Sequence, residues 1–152
     1  MRLKRLEKKL VNLSELIVDT SFLLPFVGIK VRGVDVSQLE GKVLYYPSLM
    51  LTELLAVIIK EARKLKLVNI PEEAIKGLSY ILSEVRLIPL NQLDINLIYE
   101  VVNRGWSDIF DSILYSASVS TGLPLITLDY SFYEFLHRNG FETNNLIIIK
   151  EK

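Results

Sequence analysis

Short apolar runs that end on an acid constrain this chain more than any other feature. Leu16-Ile17-Val18 runs into Asp19, and Leu125-Ile126-Thr127-Leu128 runs into Asp129. Neither run alternates apolar with polar residues. Each therefore suits a strand buried on both faces, as in a parallel sheet. The strand candidates are Leu16–Asp19, Val43–Tyr46, Arg86–Pro89, Leu125–Thr127 and Leu146–Ile149.

Helical patterns separate these runs. Ser48 can cap a helix reaching about Lys66. Pro71-Glu72-Glu73 opens another, with the proline in a tolerated first-turn position and acids at the positive helix end. Asp94–Asn103 reads as a third. Ser107 can cap a fourth that runs to Thr121 before Gly122 and Pro124. Ser131 and Glu134 form a capping box for a fifth, which ends near Asn139-Gly140. Strands alternating with helices predict a three-layer α/β/α sandwich around a central, mostly parallel sheet.

At 152 residues, half of them hydrophobic, the chain is long enough for one domain with a real core. Residues 15–152 read as that domain, and residues 1–14 as a basic amphipathic extension with Leu3, Leu6 and Leu10 at helical spacing. Eighteen basic residues balance eighteen acidic ones. Any nucleic-acid contact must then rest on a local basic patch rather than on net charge. Cysteine is absent, which removes disulfides, thiolate zinc sites and a cysteine nucleophile. His137 is the single histidine, so a Ser–His–Asp triad or a two-histidine site is hard to build. No apolar run approaches the ~20 residues that span a bilayer, and no signal-peptide pattern follows the basic start. The expected location is the cytoplasm, with no membrane partner.

Four acids fall in apolar surroundings, where a carboxylate is costly unless it is neutralised. Asp19 and Asp129 end predicted strands, the edge at which ligands bind in open α/β sheets. Capping of the helix after Asp129 is already available from Ser131 and Glu134, which leaves Asp129 without that structural job. Glu53 interrupts an apolar helix and is expected to be buried. Asp111 lies in the first turns of its helix, ahead of the small Ser112, Ser116 and Ala117. Asp108, one turn earlier, reads as a peripheral, solvated acid. Thr127 lies on the same side of its strand as Asp129 and can orient carboxylates through its hydroxyl.

The residues Val-Asp-Thr-Ser-Phe-Leu-Leu (18–24), Thr-Glu-Leu-Leu (52–55), Asp-Ser-Ile-Leu-Tyr-Ser-Ala (111–117) and Leu-Ile-Thr-Leu-Asp-Tyr-Ser-Phe (125–132) resemble, in order and context, the acid pattern of PIN-domain proteins. Both VapC-like toxins and archaeal PIN ribonucleases show such likeness. The resemblance implies a metal-dependent endoribonuclease, in some members the toxin of a toxin–antitoxin pair. It places Asp19, Glu53, Asp111 and Asp129 around Mg²⁺ or Mn²⁺, with Ser21, Thr127 and Asp108 in support. It further implies RNA as substrate, a homodimer, and a protein antitoxin as possible partner. The competing expectation is a catalytically silent PIN-fold protein that binds RNA or serves as a scaffold. Met1–Glu15 and Val27–Lys42 fall outside the resemblance.

Overall fold

The computed structural model describes residues 10–149. Its strands are β1 (Glu15–Val18), β2 (Val43–Pro47), β3 (Arg86–Ile88), β4 (Leu125–Thr127) and β5 (Leu146–Ile148). They form one sheet in the order β3-β2-β1-β4-β5, with every neighbouring pair parallel. The described helices are α1 (Leu51–Lys64), α2 (Glu72–Glu84), α3 (Ile95–Asn103), α4 (Ile109–Thr121) and α5 (Tyr130–Arg138). The architecture is the three-layer α/β/α sandwich that the alternating pattern predicts. No described helix is long and apolar enough to cross a membrane. The basic segment before Leu10 lies outside the described residues.

The absence of alternation in β1 has its physical cause in the sheet order. β1 is the central strand, and Leu16, Ile17 and Val18 are all fully buried. Burying each such side chain is worth about 1.5–3 kcal/mol. β3 is an edge strand whose Arg86 and Leu87 are exposed; it is kept to three residues, which limits edge pairing. At the amino end of the sheet, the Lys42 ammonium donates to the backbone carbonyls of Leu10 and Leu13. The buried Leu10 is thereby tied to the start of β2.

The helix starts differ from the sequence reading in a consistent way. Ser48 caps nothing; it opens a 3-10 turn, Ser48–Met50, that leads into α1. α2 begins one residue after Pro71. Asp94 caps α3 by accepting from the Leu97 amide at 3.0 Å. α4 is capped by Asp108, not Ser107, through the Phe110 amide at 2.9 Å. α5 is capped by Asp129, not by the Ser131–Glu134 pair. Ser131 already lies inside that helix, and Glu134 instead approaches Arg138 at 3.7 Å. Where serine and aspartate compete, the ionised side chain makes the stronger bond to the amide and faces the positive helix end.

α2 approaches the loop after β1 unusually closely. A Cβ at Gly77 would lie 2.0 Å from the backbone oxygen of Phe26, and the rings of Phe26 and Tyr80 stack at 5.4 Å. Backbone cannot yield as a flexible side chain does. Gly77→Ala is therefore expected to destabilise the fold by about 1–3 kcal/mol, although alanine is the better helix former. Urea unfolding measures this, and a variant as stable as the wild type would remove the close backbone approach at Gly77 as a constraint on the fold.

Candidate acidic site

The chain leaves β1 toward β2 and β3 on one side and returns as β4 on the other. A reversal of strand order of this kind opens a crevice at the carboxyl ends of the two strands. Val18 pairs with Ile126, so Asp19 and Asp129 emerge on either side of that crevice. The Asp19 amide itself donates to the Ile126 carbonyl at 3.3 Å.

Asp19 is held from both strands. Its Oδ1 accepts from the Ser21 amide at 2.9 Å, which makes it the cap of the 3-10 turn Thr20–Phe22. Its Oδ2 accepts from the Leu128 amide at 3.4 Å. The side chains of Thr127 and Ser21 also hydrogen-bond to it. Burial nevertheless outweighs these contacts and raises the pKa of the carboxyl above the usual carboxylate range.

Glu53 enters from the first turn of α1, behind a hydroxyl relay that sequence reasoning missed. Thr20 Oγ1 contacts the Tyr46 hydroxyl at 2.7 Å and donates to Glu53 Oε2 at 3.3 Å. The Tyr46 hydroxyl in turn donates to the Met50 carbonyl at 2.9 Å. Thr20 and Tyr46 are both buried, while Glu53 is half-buried rather than enclosed as its apolar helix suggests. The reason is that Leu54, Ile58 and Ala62 carry the core face of α1, whereas Leu55 and Ile59 are exposed. Desolvation, followed by the charges of Asp108 and Asp19, raises the Glu53 pKa. The signal for Thr20 was its position beside Asp19; for Tyr46 it was a polar tip at the end of a buried strand.

Asp111 comes from the first turn of α4, whose Ser112, Ser116 and Ala117 are fully buried. Its Oδ2 accepts from the Trp106 indole N–H at 3.0 Å. Trp106 packs on Phe132 and Phe135 at 5.0 and 5.2 Å, so it is a partner of the acid rather than a free stacking surface. Burial pushes the Asp111 carboxyl up to about 7, with further upward contributions from Asp108, Asp129 and Asp19. Asp108 is exposed, as its peripheral reading implies, yet its charge reaches both Glu53 and Asp111.

Asp129 is half-buried; its Oδ1 accepts from the Phe132 amide, and its own amide donates to Thr127 Oγ1 at 3.1 Å. It therefore has the capping job that Ser131 and Glu134 were expected to fill. Among the described residues, none of Asp19, Glu53, Asp108, Asp111 and Asp129 is ion-paired. Nor do any three acidic or histidine side chains there form a group that could hold a metal ion by themselves. The donors are hard carboxylate oxygens. They suit a Mg²⁺-like cation that takes one or two carboxylates and keeps most of its waters, rather than an all-protein cage.

A family model described as PIN domain matches residues 16–136. Among solved structures, the chain is similar to the crystal structure of PAE2754 from Pyrobaculum aerophilum. Identity is 20%, the TM-score is 0.57, and the match covers 89% of this chain and 83% of that one. It is also similar to VapBC-5, a member of the VapBC family of toxin-antitoxin systems, from Mycobacterium tuberculosis. There identity is 18%, the TM-score is 0.58, and the coverage is 90% of this chain and 98% of that one. At such identities the likeness is one of fold. No curated protein matches the chain.

The Asp111 shift fixes the direction of a pH effect. The unfolded carboxyl loses its proton near 3.8, the folded one near 7. Between those values the folded state holds a proton that the unfolded state has released, so this group lowers stability as pH rises from about 4 to about 7. Asp111→Asn keeps an acceptor for Trp106 and abolishes that titration. In metal-free buffer the variant should match the wild type at pH 4 and be more stable at pH 8. Urea unfolding at the two values reads the difference; an equal effect at both would remove the buried charge from the account.

Proposed function

The chain belongs to the PIN domain family, and from that premise we propose that its acidic crevice hydrolyses RNA phosphodiester bonds with Mg²⁺ or Mn²⁺. The observation that carries the proposal is the crowding of unpaired carboxylates at the switch between β1 and β4, where burial and then the charges of neighbouring acids raise the pKa values of Glu53 and Asp111. Such crowding is unfavourable unless protons or a cation relieve it. When bound, such an ion supplies water activation and compensates charge on the phosphate.

The chain's own residues do the positioning. The Ser21 and Leu128 amides fix the two oxygens of Asp19. Thr20 orients Glu53, and Trp106 orients Asp111. Asp111 holds a proton near neutral pH and must give it up when a cation is bound, so cation affinity should rise with pH. No histidine base is needed in this scheme.

The fold shared with VapBC-5 motivates a toxin role with a protein antitoxin, in the cytoplasm. A homodimer forms part of the proposal, supported by the exposed Leu55 on α1 and Ile75 and Leu82 on α2. Expression that leaves growth unaffected would remove the toxin role, and sedimentation at the monomer mass would remove the homodimer. The competing reading is a PIN-fold RNA-binding or scaffold protein without turnover. It draws on the absence, among the described residues, of a self-sufficient metal group.

Asp19→Asn separates the two readings. Mn²⁺ should raise the melting temperature of the wild type through preferential binding to the folded state, and this rise should be lost in the variant. Cleavage of an unstructured RNA should fall below detection, with the metal-free fold intact by circular dichroism. Cleavage by the variant at the wild-type rate would remove Asp19 from the site. No cleavage by the wild type in either metal, with RNA binding retained, would favour the silent reading.

A further inference from the structure

α1 starts in the acidic crevice and ends in a cluster of cations. Glu53, Lys60 and Lys64 are spaced by seven and four residues. At 100° and 1.5 Å per residue, both lysines fall within about 20° of Glu53 around the helix, about 10 and 16 Å along it. Arg63 stands beside this stripe. Lys60, Arg63 and Lys64, with Ala56 and Ile59, line a surface depression of about 570 Å³.

These cations are treated differently from those on the other helices. Lys76, Arg104 and Arg138 each stand four residues after an acid and approach it at 3.3, 3.9 and 3.7 Å. The residues four before Lys60, Arg63 and Lys64 are Ala56, Ile59 and Lys60. Among the described residues, none of the three is ion-paired. Favourable contact with the helix carboxyl end accounts for a cation in the last turn. It does not account for Lys60, a full turn earlier. Since the chain carries no net charge, a local patch of this kind is where its affinity for a polyanion must come from.

We propose that this stripe is a phosphate track: single-stranded RNA with its scissile phosphate in the crevice runs along α1 over Lys60, Arg63 and Lys64. Ala56 and the exposed Ile59 supply apolar lining on the Arg63 side of the stripe. A flexible single strand can follow such a track, whereas a rigid duplex meets it at few points. The proposal rests on reading the crevice as an RNA site, and it concerns binding rather than turnover.

The test is the salt dependence of binding of a labelled, unstructured RNA 12-mer in EDTA, read by fluorescence anisotropy. Each phosphate neutralised on a single strand contributes about 0.7 to the slope of log K against log salt. Combined Lys60→Ala, Arg63→Ala and Lys64→Ala should flatten that slope by about 2 and weaken binding at low salt by about tenfold or more. Should the triple variant fail to fold, Lys60→Ala reads one contact from an exposed position, a flattening of about 0.7. An unchanged slope overturns the track and leaves the nuclease reading intact. A wild type that does not bind the RNA in EDTA yet cleaves it with Mn²⁺ overturns the track alone; one that neither binds nor cleaves overturns both. A flattened slope in a protein that never cleaves supports the track and overturns turnover alone. Acidic peptide binding as tightly as RNA, with the same loss in the variant, overturns the track in favour of a protein partner.

Discussion

The pairing of β1 with β4 is the constraint on which the rest of the molecule depends. It brings Asp19 within reach of the Leu128 amide, 109 positions away. It creates the reversal of strand order that opens the crevice, and it sets Asp129 across from Asp19. The pairing is secured by apolar burial, since Leu16, Ile17, Val18, Leu125 and Ile126 are buried almost completely. Loss of that burial would separate the acids before it disturbed any one of them individually.

The acids of the crevice serve two purposes. Asp19, Asp108 and Asp129 each cap the element that follows them through one oxygen on a backbone amide, and Asp19 spends its other oxygen on the Leu128 amide. A side chain anchored in this way has little rotamer freedom left, and its second oxygen points where the fold dictates. Glu53 and Asp111 lie inside helices and are oriented instead by Thr20 and Trp106. The site is thus assembled from local capping contacts and long-range contacts together.

Much of the fold is legible in the chain because buried parallel strands leave an unmistakable trace. Five short apolar runs map onto five strands with ends shifted by a residue at most. The helix starts were less legible because serine and aspartate stand next to each other, or nearly so, at two of them. Propensity alone does not choose between neighbouring caps; at both starts the aspartate, the stronger acceptor for the helix amides, takes the position. Of the site, the acids stand out because each breaks an apolar context. Thr20 and Tyr46 do not, since a threonine beside a strand end and a tyrosine within one are ordinary, and only the distance across the sheet reveals their contact. The exposure of Glu53 was misjudged because Leu55 and Ile59, apolar yet facing outward, make α1 look buried on every side.

The relay behind Glu53 has a consequence in hydrogen arithmetic. Three contacts join Glu53, Thr20, Tyr46 and the Met50 carbonyl, but the two hydroxyls own only two hydrogens between them. With Thr20 donating to Glu53 and Tyr46 to the Met50 carbonyl, both hydrogens are spent, and the 2.7 Å contact between the two buried hydroxyls has none of its own. Either hydroxyl that turned to fill it would abandon Glu53 or Met50, so the orientation of Glu53 is set in competition with the floor of the site.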